Sequence, residues 1–384
     1  MVADEAADEA TDEVADAVVD AVTDMTTDPT TAATDAPSAR ASRPLPVKVF
    51  IASPLEADLV QRIAEVSPKV EVLAAPDLWP PVRYVADHSG GPLQRTPEQE
   101  KRWLDMMARA EVFFDFERDH IGRTAELAPN LRWIQSTSSG IITYMERSGL
   151  YRTNIVVTTA GGVHAVPLAE WVIFSILWNE KNAPLILRQK AAHHWERYCG
   201  GEALGKTVCI LGYGKVGQMV GERCRALGLR VYGLTSRGVA AVPVDHQGPQ
   251  PTGLDDVLPL ADYLVVAVPG VESTHRLVDR RRLSLLPKGA FIINIGRGSV
   301  IEEPAMLEML QSGYFSGAAL DVFEKEPLPA ESPFWDMPNV LINPHSSSTS
   351  FKENARITDL FCENLRRYLD GRPLINVYDH RRGY

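Results

Sequence analysis

The sequence predicts an α/β protein made of two parallel-sheet domains. Apolar runs of strand length alternate with helical patterns from Pro46 onward. After a long apolar helix the alternation resumes at "KTVCILG", so there are two series of βα units. A chain of 384 residues is long enough to give each series its own core.

Residues 1–45, rich in Ala, Asp, Thr and Pro, bury too little apolar surface to offset chain entropy and read as a disordered acidic tail. "PVKVFIAS" then opens the folded body as a strand. "EADLVQRIAEV" reads as helix, "VEVLAA" as strand, "PEQEKRWLDMMARA" as helix and "EVFFDF" as strand. "LRWIQSTSSG" is a strand running into a loop of small residues, and "IVVTTAG" is the next strand. Pro167 sits early in the apolar helix that follows, where its missing N–H costs nothing. The second series runs through "LRVYGL", "YLVVAVPG", "AFIINIG" and "FSGAALDVF" to "VLINPHSSS". The helical segment "NARITDLFCENLRRYLDG" either extends the second domain or returns to cap the first; periodicity alone does not choose.

Charge and composition exclude several classes. The net charge is −11, but residues 1–40 hold eleven acidic residues against Arg40 alone. The body is therefore close to neutral and lacks the basic bias of a nucleic-acid binder. The four cysteines have no paired spacing, which argues against a zinc site or a disulfide framework and for a reduced, cytoplasmic protein. The most apolar run, Ala165 to Trp178, is too short to span a bilayer and contains Glu170. The N-terminus shows neither a secretory nor a mitochondrial targeting pattern.

The turn Gly212-Tyr213-Gly214-Lys215-Val216-Gly217 follows the strand "TVCIL" and opens a helical pattern. In that setting Gly212 permits the tight turn and Gly214 lets backbone approach a pyrophosphate. Gly217 lets helix pack on strand. The helix N-terminus offers free N–H groups to the phosphates. About 20 residues on, an acid would hold the ribose of NAD, but this chain has Thr235-Ser236-Arg237. An acid about 4 Å from the extra phosphate of NADP would be repelled by roughly 4 kcal/mol at an effective dielectric near 20. Two hydroxyls and a guanidinium remove that repulsion and add donors. The expected cofactor is NADP(H), with NAD(H) the second choice.

Arg297 in "NIGRGS", Glu326 in "DVFEKEP" and His345 in "NPHSSS" each follow an apolar strand. Ligands of open α/β sheets bind beyond the carboxyl ends of the strands, so all three are expected to face one crevice. Each alone has an ordinary explanation, in a turn, on a helix end or in a loop; jointly they contain the parts for reducing a 2-keto acid.

The ordered segments "LRWIQSTSSGI", "GGVHAVPLAEWV", "GKTVCILGYGKVG", "VAVPGVESTHRLV", "FIINIGRGSVIEEPAML", "GAALDVFEKEPLP" and "NVLINPHSSS" resemble the D-isomer-specific 2-hydroxyacid dehydrogenase family. The "LTSR" ending resembles its NADPH-dependent glyoxylate/hydroxypyruvate reductase branch. The resemblance implies two Rossmann-like domains with the site between them. One is a flavodoxin-like substrate domain (46–162, completed by 349–384), the other a dinucleotide domain (163–348). It implies that Arg297 binds the substrate carboxylate and that His345 is the acid/base, held by Glu326. Ser139 and Gly140 would cradle the carboxylate from the first domain. Asp321 would bind the nicotinamide carboxamide, and Val268, Pro269 and Ile295 would line the cofactor cleft. The substrate would be a small 2-keto or 2-hydroxy acid, with no metal, membrane or nucleic-acid partner. The apolar helix after Pro167 resembles the family's dimer helix, which implies a homodimer. A dinucleotide-sensing corepressor of the same fold is the alternative.

The chain departs from the family pattern at Ile142, where an acid is usual, and in its "PHSSS" ending. It departs again in the long polar segment "PPVRYVADHSGG", Pro80 to Gly91. That segment is either a surface loop or one that reaches the cleft with Arg83, Tyr84 or His88.

Overall fold

The computed structural model describes residues 46–247 and 249–383; the acidic tail expected over 1–45 lies outside them. The first sheet contains β1 (Val47–Ile51), β2 (Val70–Leu73), β3 (Val112–Phe114), β4 (Trp133–Gln135) and β5 (Val156–Thr158). Its order is β2-β1-β3-β4-β5 and every pairing is parallel. That is the flavodoxin-like order, whose ligand crevice opens between β1 and β3.

The second sheet contains β6 (Thr207–Leu211), β7 (Arg230–Thr235), β8 (Gly238–Ala241), β9 (Tyr263–Val266), β10 (Phe291–Asn294), β11 (Gly317–Leu320) and β12 (Val340–Ile342). The order is β12-β11-β10-β9-β6-β7-β8, parallel except for the β7–β8 pair. Chain order reverses between β6 and β9, and it is there that a doubly wound sheet opens a crevice for a dinucleotide. The central strands are buried along their whole length. Helices cover both faces of such sheets, which is why "TVCIL" and "YLVV" are continuously apolar rather than alternating.

Strand β8 is absent from the sequence reading. It forms a tight hairpin with β7, pairing Thr235 with Gly238 around Ser236 and Arg237. Gly238 takes φ +111°, a conformation that side chains rarely adopt.

Two helices join the sheets. The Ala165–Glu180 helix buries Leu168, Ala169, Val172 and Ile176 against Val208, Ile210 and Val220 of the second layer. The Glu353–Asp370 helix packs Ile357, Phe361 and Leu365 with Val49, Phe114 and Trp133 of the first sheet. Phe361 stacks on Trp133 at 5.1 Å and meets Phe114 edge-on at 5.2 Å. The last helix thus covers the first sheet, although second-sheet strands precede it in sequence.

Candidate active site

Strands β10, β11 and β12 are neighbours, and their carboxyl ends carry Arg297, Glu326 and His345 side by side. His345 Nδ1 lies 2.8 Å from Glu326 Oε2. Glu326 Oε1 accepts the Phe323 N–H at 3.1 Å. Burial pushes the Glu326 carboxyl up. The His345 hydrogen bond, the Phe323 N–H and the Arg297 charge outweigh burial and hold it below its usual range. Both side chains remain partly open to solvent.

The His345 backbone is fixed from beneath. His345 sits at φ +53°, and its N–H donates to the Asp321 carbonyl at 2.9 Å. The Asp321 carboxylate is buried, and its Oδ1 accepts the N–H groups of Ser346 and Ser347 at 3.0 and 2.9 Å. Asp321 therefore anchors the "HSSS" turn, and its other oxygen has no hydrogen bond among the described residues.

Burial pushes the Arg297 guanidinium down, against the opposing charges of Glu326 and Asp321. Nη1 donates to the Gly296 carbonyl at 2.7 Å. The loop is stapled by Asn294, which donates to the Arg297 carbonyl and accepts the Gly296 N–H. A β-carbon at Gly298 would strike the Phe323 backbone, so glycine there lets the Arg297 and Glu326 loops touch. Sequence reasoning missed Asn294; a lone amide ending an otherwise apolar strand was the available signal.

The first domain meets Arg297 at Gly140, where a β-carbon would collide with Nη2. The N–H groups of Ser139 and Gly140 donate to nothing among the described residues. Ser139 Oγ lies 3.4 Å from His164 Nδ1, and His164 Nε2 lies 3.2 Å from Glu353 Oε1. A cavity of about 270 Å³ opens between Gly140, Tyr144, Arg147, Pro269, Gly270 and Arg297. His345 is not part of its lining.

The glycine turn has the shape a dinucleotide needs. Gly212 takes φ +102° and passes so close to the Ala267 carbonyl that a side chain would clash. Gly217 packs on the Gly212 carbonyl, whereas Gly214 faces open space. The Lys215–Ala226 helix starts there, with Val216 half-buried against the core. Lys215 Nζ donates to Asn376 Oδ1 at 2.9 Å, tying the turn to the C-terminal segment. Leu234, the last core residue of β7, accepts the Gly212 and Tyr213 N–H groups, which puts the hairpin beside the turn. Thr235, Ser236 and Arg237 are exposed there. Thr235 Oγ1 accepts the Arg237 N–H at 3.2 Å, and the Ser236 and Arg237 side chains have no partner among the described residues. Val268 and Pro269 are half-buried at the crevice rim, while Ile295 is buried in the core.

The Pro80–Gly91 segment reaches the carboxyl edge of the first sheet through Asp87 and His88, both buried. His88 Nδ1 lies 3.2 Å from Ser53 Oγ. Arg83 and Tyr84 stay exposed, with Arg83 gripping Asp87.

Residues 174–347 match the family described as D-isomer specific 2-hydroxyacid dehydrogenase, NAD binding domain. The chain is 30% identical over 256 residues to the glyoxylate reductase of Pyrococcus furiosus, covering 64% of this chain and 75% of that one. It is 28% identical over 286 residues to glyoxylate/hydroxypyruvate reductase B of Yersinia pestis, covering 72% and 86% respectively. Among solved structures, it superposes with a TM-score of 0.68 on the NADPH-dependent glyoxylate/hydroxypyruvate reductase of Sinorhizobium meliloti in complex with NADP and sulfate. That match has 25% identity and covers 88% of this chain and all of the other.

Proposed function

The chain belongs to the D-isomer specific 2-hydroxyacid dehydrogenase family, an oxidoreductase family that uses a nicotinamide dinucleotide. On that premise we propose that it reduces a glyoxylate- or hydroxypyruvate-like 2-keto acid to the D-2-hydroxy acid with NADPH. The observation that carries this reading is the 2.8 Å His345–Glu326 pair beside Arg297, with Arg297 touching Gly140 across the cleft.

The free N–H groups of Ser139 and Gly140 bind the substrate carboxylate, and Arg297 pairs with it and polarises the keto oxygen. When bound, the dinucleotide supplies the hydride that adds to the carbonyl carbon. His345 gives its Nε2 proton to the oxygen, completing the hydroxyl group. Glu326 accepts Nδ1–H throughout, favouring the imidazolium before transfer and fixing one tautomer after it. Closure of the domains removes water from the reacting atoms.

Gly212, Gly214, Lys215, Val216 and Gly217 form the phosphate turn, and the open space at Gly214 supports this. The exposed Thr235-Ser236-Arg237 hairpin, bearing no carboxylate, supports NADPH over NADH. Asp321 keeps one oxygen for the nicotinamide carboxamide, with Val268, Pro269 and Ile295 around the ring. Residues 46–162 with 349–384 would form the substrate domain and 163–348 the dinucleotide domain, as the Phe361–Trp133 stack supports. Exposed Phe174, Leu187 and Trp195 on and beyond the apolar helix support a homodimer, and we place the protein in the cytoplasm.

The test is the initial rate of NADPH and of NADH oxidation with glyoxylate and hydroxypyruvate. The reading requires turnover, a higher kcat/KM with NADPH, and a D-configured product from hydroxypyruvate. No oxidation of either cofactor with either acid would refute it.

A further inference from the structure

The Ser139 hydroxyl is the outer end of a polar chain that hydride transfer leaves unused. His164 lies between Ser139 and Glu353. Its Nδ1 is 3.4 Å from Ser139 Oγ, and its Nε2 is 3.2 Å from Glu353 Oε1. A carboxylate only accepts, so Nε2 carries a proton and Nδ1 is the atom turned to Ser139. Glu353 is buried and held in place, because its Oε2 accepts the Ser350 N–H at 3.3 Å. The His164 side chain is 12% exposed, whereas Ser139 is open to solvent.

Another buried polar network of the first sheet closes on itself. Trp133 Nε1 donates to Thr158 Oγ1 at 2.8 Å, and Thr158 Oγ1 donates to Gln135 Oε1 at 2.8 Å. The Asn364 amide donates to the same oxygen at 3.0 Å, and all four side chains are buried. The His164 chain differs: it runs from a buried carboxylate to an exposed hydroxyl beside the free Ser139 and Gly140 N–H groups. The segment that leads into His164 also holds this loop by its backbone, since the Ala160 N–H donates to the Ser138 carbonyl at 3.1 Å. His164 and Glu353 stand at the starts of the Ala165–Glu180 and Glu353–Asp370 helices, the two that join the sheets. One imidazole therefore ties the loop to both joining helices.

We propose that His164 is a positioning residue for substrate binding. Held by Glu353, its Nδ1 fixes the Ser139 hydroxyl and so keeps the Ser139 and Gly140 N–H groups in place for the substrate carboxylate. The proposal rests on the 2-keto acid reading above. His164 acts through Ser139, while the reacting atoms stay with Arg297 and His345. Without His164 the Ser139 side chain and its loop gain freedom that each binding event must remove. The loss therefore falls on substrate binding. Contacts formed equally in the bound substrate and in the transition state change KM and leave kcat.

The experiment measures kcat and KM for hydroxypyruvate, and NADPH affinity, in the wild type and in variants that divide the imidazole. His164→Gln keeps an amide that reaches Glu353 but removes the atom facing Ser139. His164→Asn keeps an amide where Nδ1 stood and gives up Glu353. His164→Gln should raise KM by on the order of tenfold, the loss of one hydrogen bond. Its kcat and NADPH affinity should change by less than about twofold. His164→Asn should recover part of that KM. Ser139→Ala, at an exposed position, should raise KM too, and combining it with His164→Gln should raise KM no further, because both remove one contact. An unchanged KM in His164→Gln or in Ser139→Ala overturns the proposal and leaves the reductase reading standing. So does the absence of recovery in His164→Asn, or penalties that multiply in the double variant. Failure of the wild type to turn over any keto acid overturns both.

Discussion

At the scale of single residues, the proposed chemistry rests on the contacts Glu326 makes with His345 and Phe323 and on the absence of an acid at Thr235. Glu326 is held below the usual carboxylate range, so it stays ionised from neutral pH well into the acid range. On the proposed reading His345 supplies the proton that reduction consumes, and the ionised Glu326 carboxylate supports it. The value of kcat/KM should therefore fall where acid protonates Glu326, below the usual carboxylate range. Glu326→Gln should lower kcat/KM and remove that acid limb. A pH profile of kcat/KM for Glu326→Gln that overlays the wild type would show that Glu326 does not act through His345. At the other site, Thr235→Asp places a carboxylate on the exposed hairpin and should shift the NADPH/NADH ratio of kcat/KM toward NADH by on the order of tenfold or more. An unchanged ratio would remove the phosphate argument. That Arg297, Glu326 and His345 come together at one sheet edge was legible because each is a polar residue in the loop that follows an apolar strand. The Lys215–Asn376 bond was not legible, because it joins positions 161 residues apart that only tertiary packing brings together.

At the scale of elements, the glycine turn was readable because each glycine answers a different steric need. The structure separates them: Gly212 for its positive φ, Gly217 for contact with the Gly212 carbonyl, and Gly214 for open space. Gly217→Val should therefore push the following helix off β6. The expected cost is about 1–3 kcal/mol of stability together with loss of dinucleotide affinity, read by thermal unfolding and by NADPH fluorescence. Retained affinity with unchanged stability would contradict the packing. Strand β8 was invisible in the sequence because it is short, half-buried and paired on one side only. Such an edge strand lacks the fully apolar signature of β6 or β9. The Pro80–Gly91 segment was half legible. Its polarity suggested solvent, yet Asp87 and His88 turn inward: Arg83 grips Asp87 and Ser53 meets His88 Nδ1, while His88 Nε2 is buried with no hydrogen-bond partner among the described residues.

At the scale of the whole molecule, each sheet offers the other its carboxyl edge. The second sheet supplies the glycine turn, Arg297 and His345, and the first supplies the free N–H groups of Ser139 and Gly140. Gly140 is where the two meet: a side chain there would have to displace the Arg297 guanidinium. Gly140→Ala should lower kcat/KM at least several-fold while leaving NADPH binding intact; a change in NADPH affinity alone would place Gly140 outside the substrate path. The two βα series made the two sheets legible. Periodicity left the place of the last helix open because an amphipathic helix can cover either sheet. Phe361 and Leu365 settle its packing by filling the core around Trp133 and Phe114. The central claim is that the cleft joins a dinucleotide to a proton donor at His345. It is tested most directly by NADPH-dependent reduction of hydroxypyruvate by the wild type beside His345→Gln, with NADPH affinity measured in parallel. The account predicts that the variant binds NADPH as the wild type does and loses turnover by at least about a hundredfold; turnover close to wild type would contradict it.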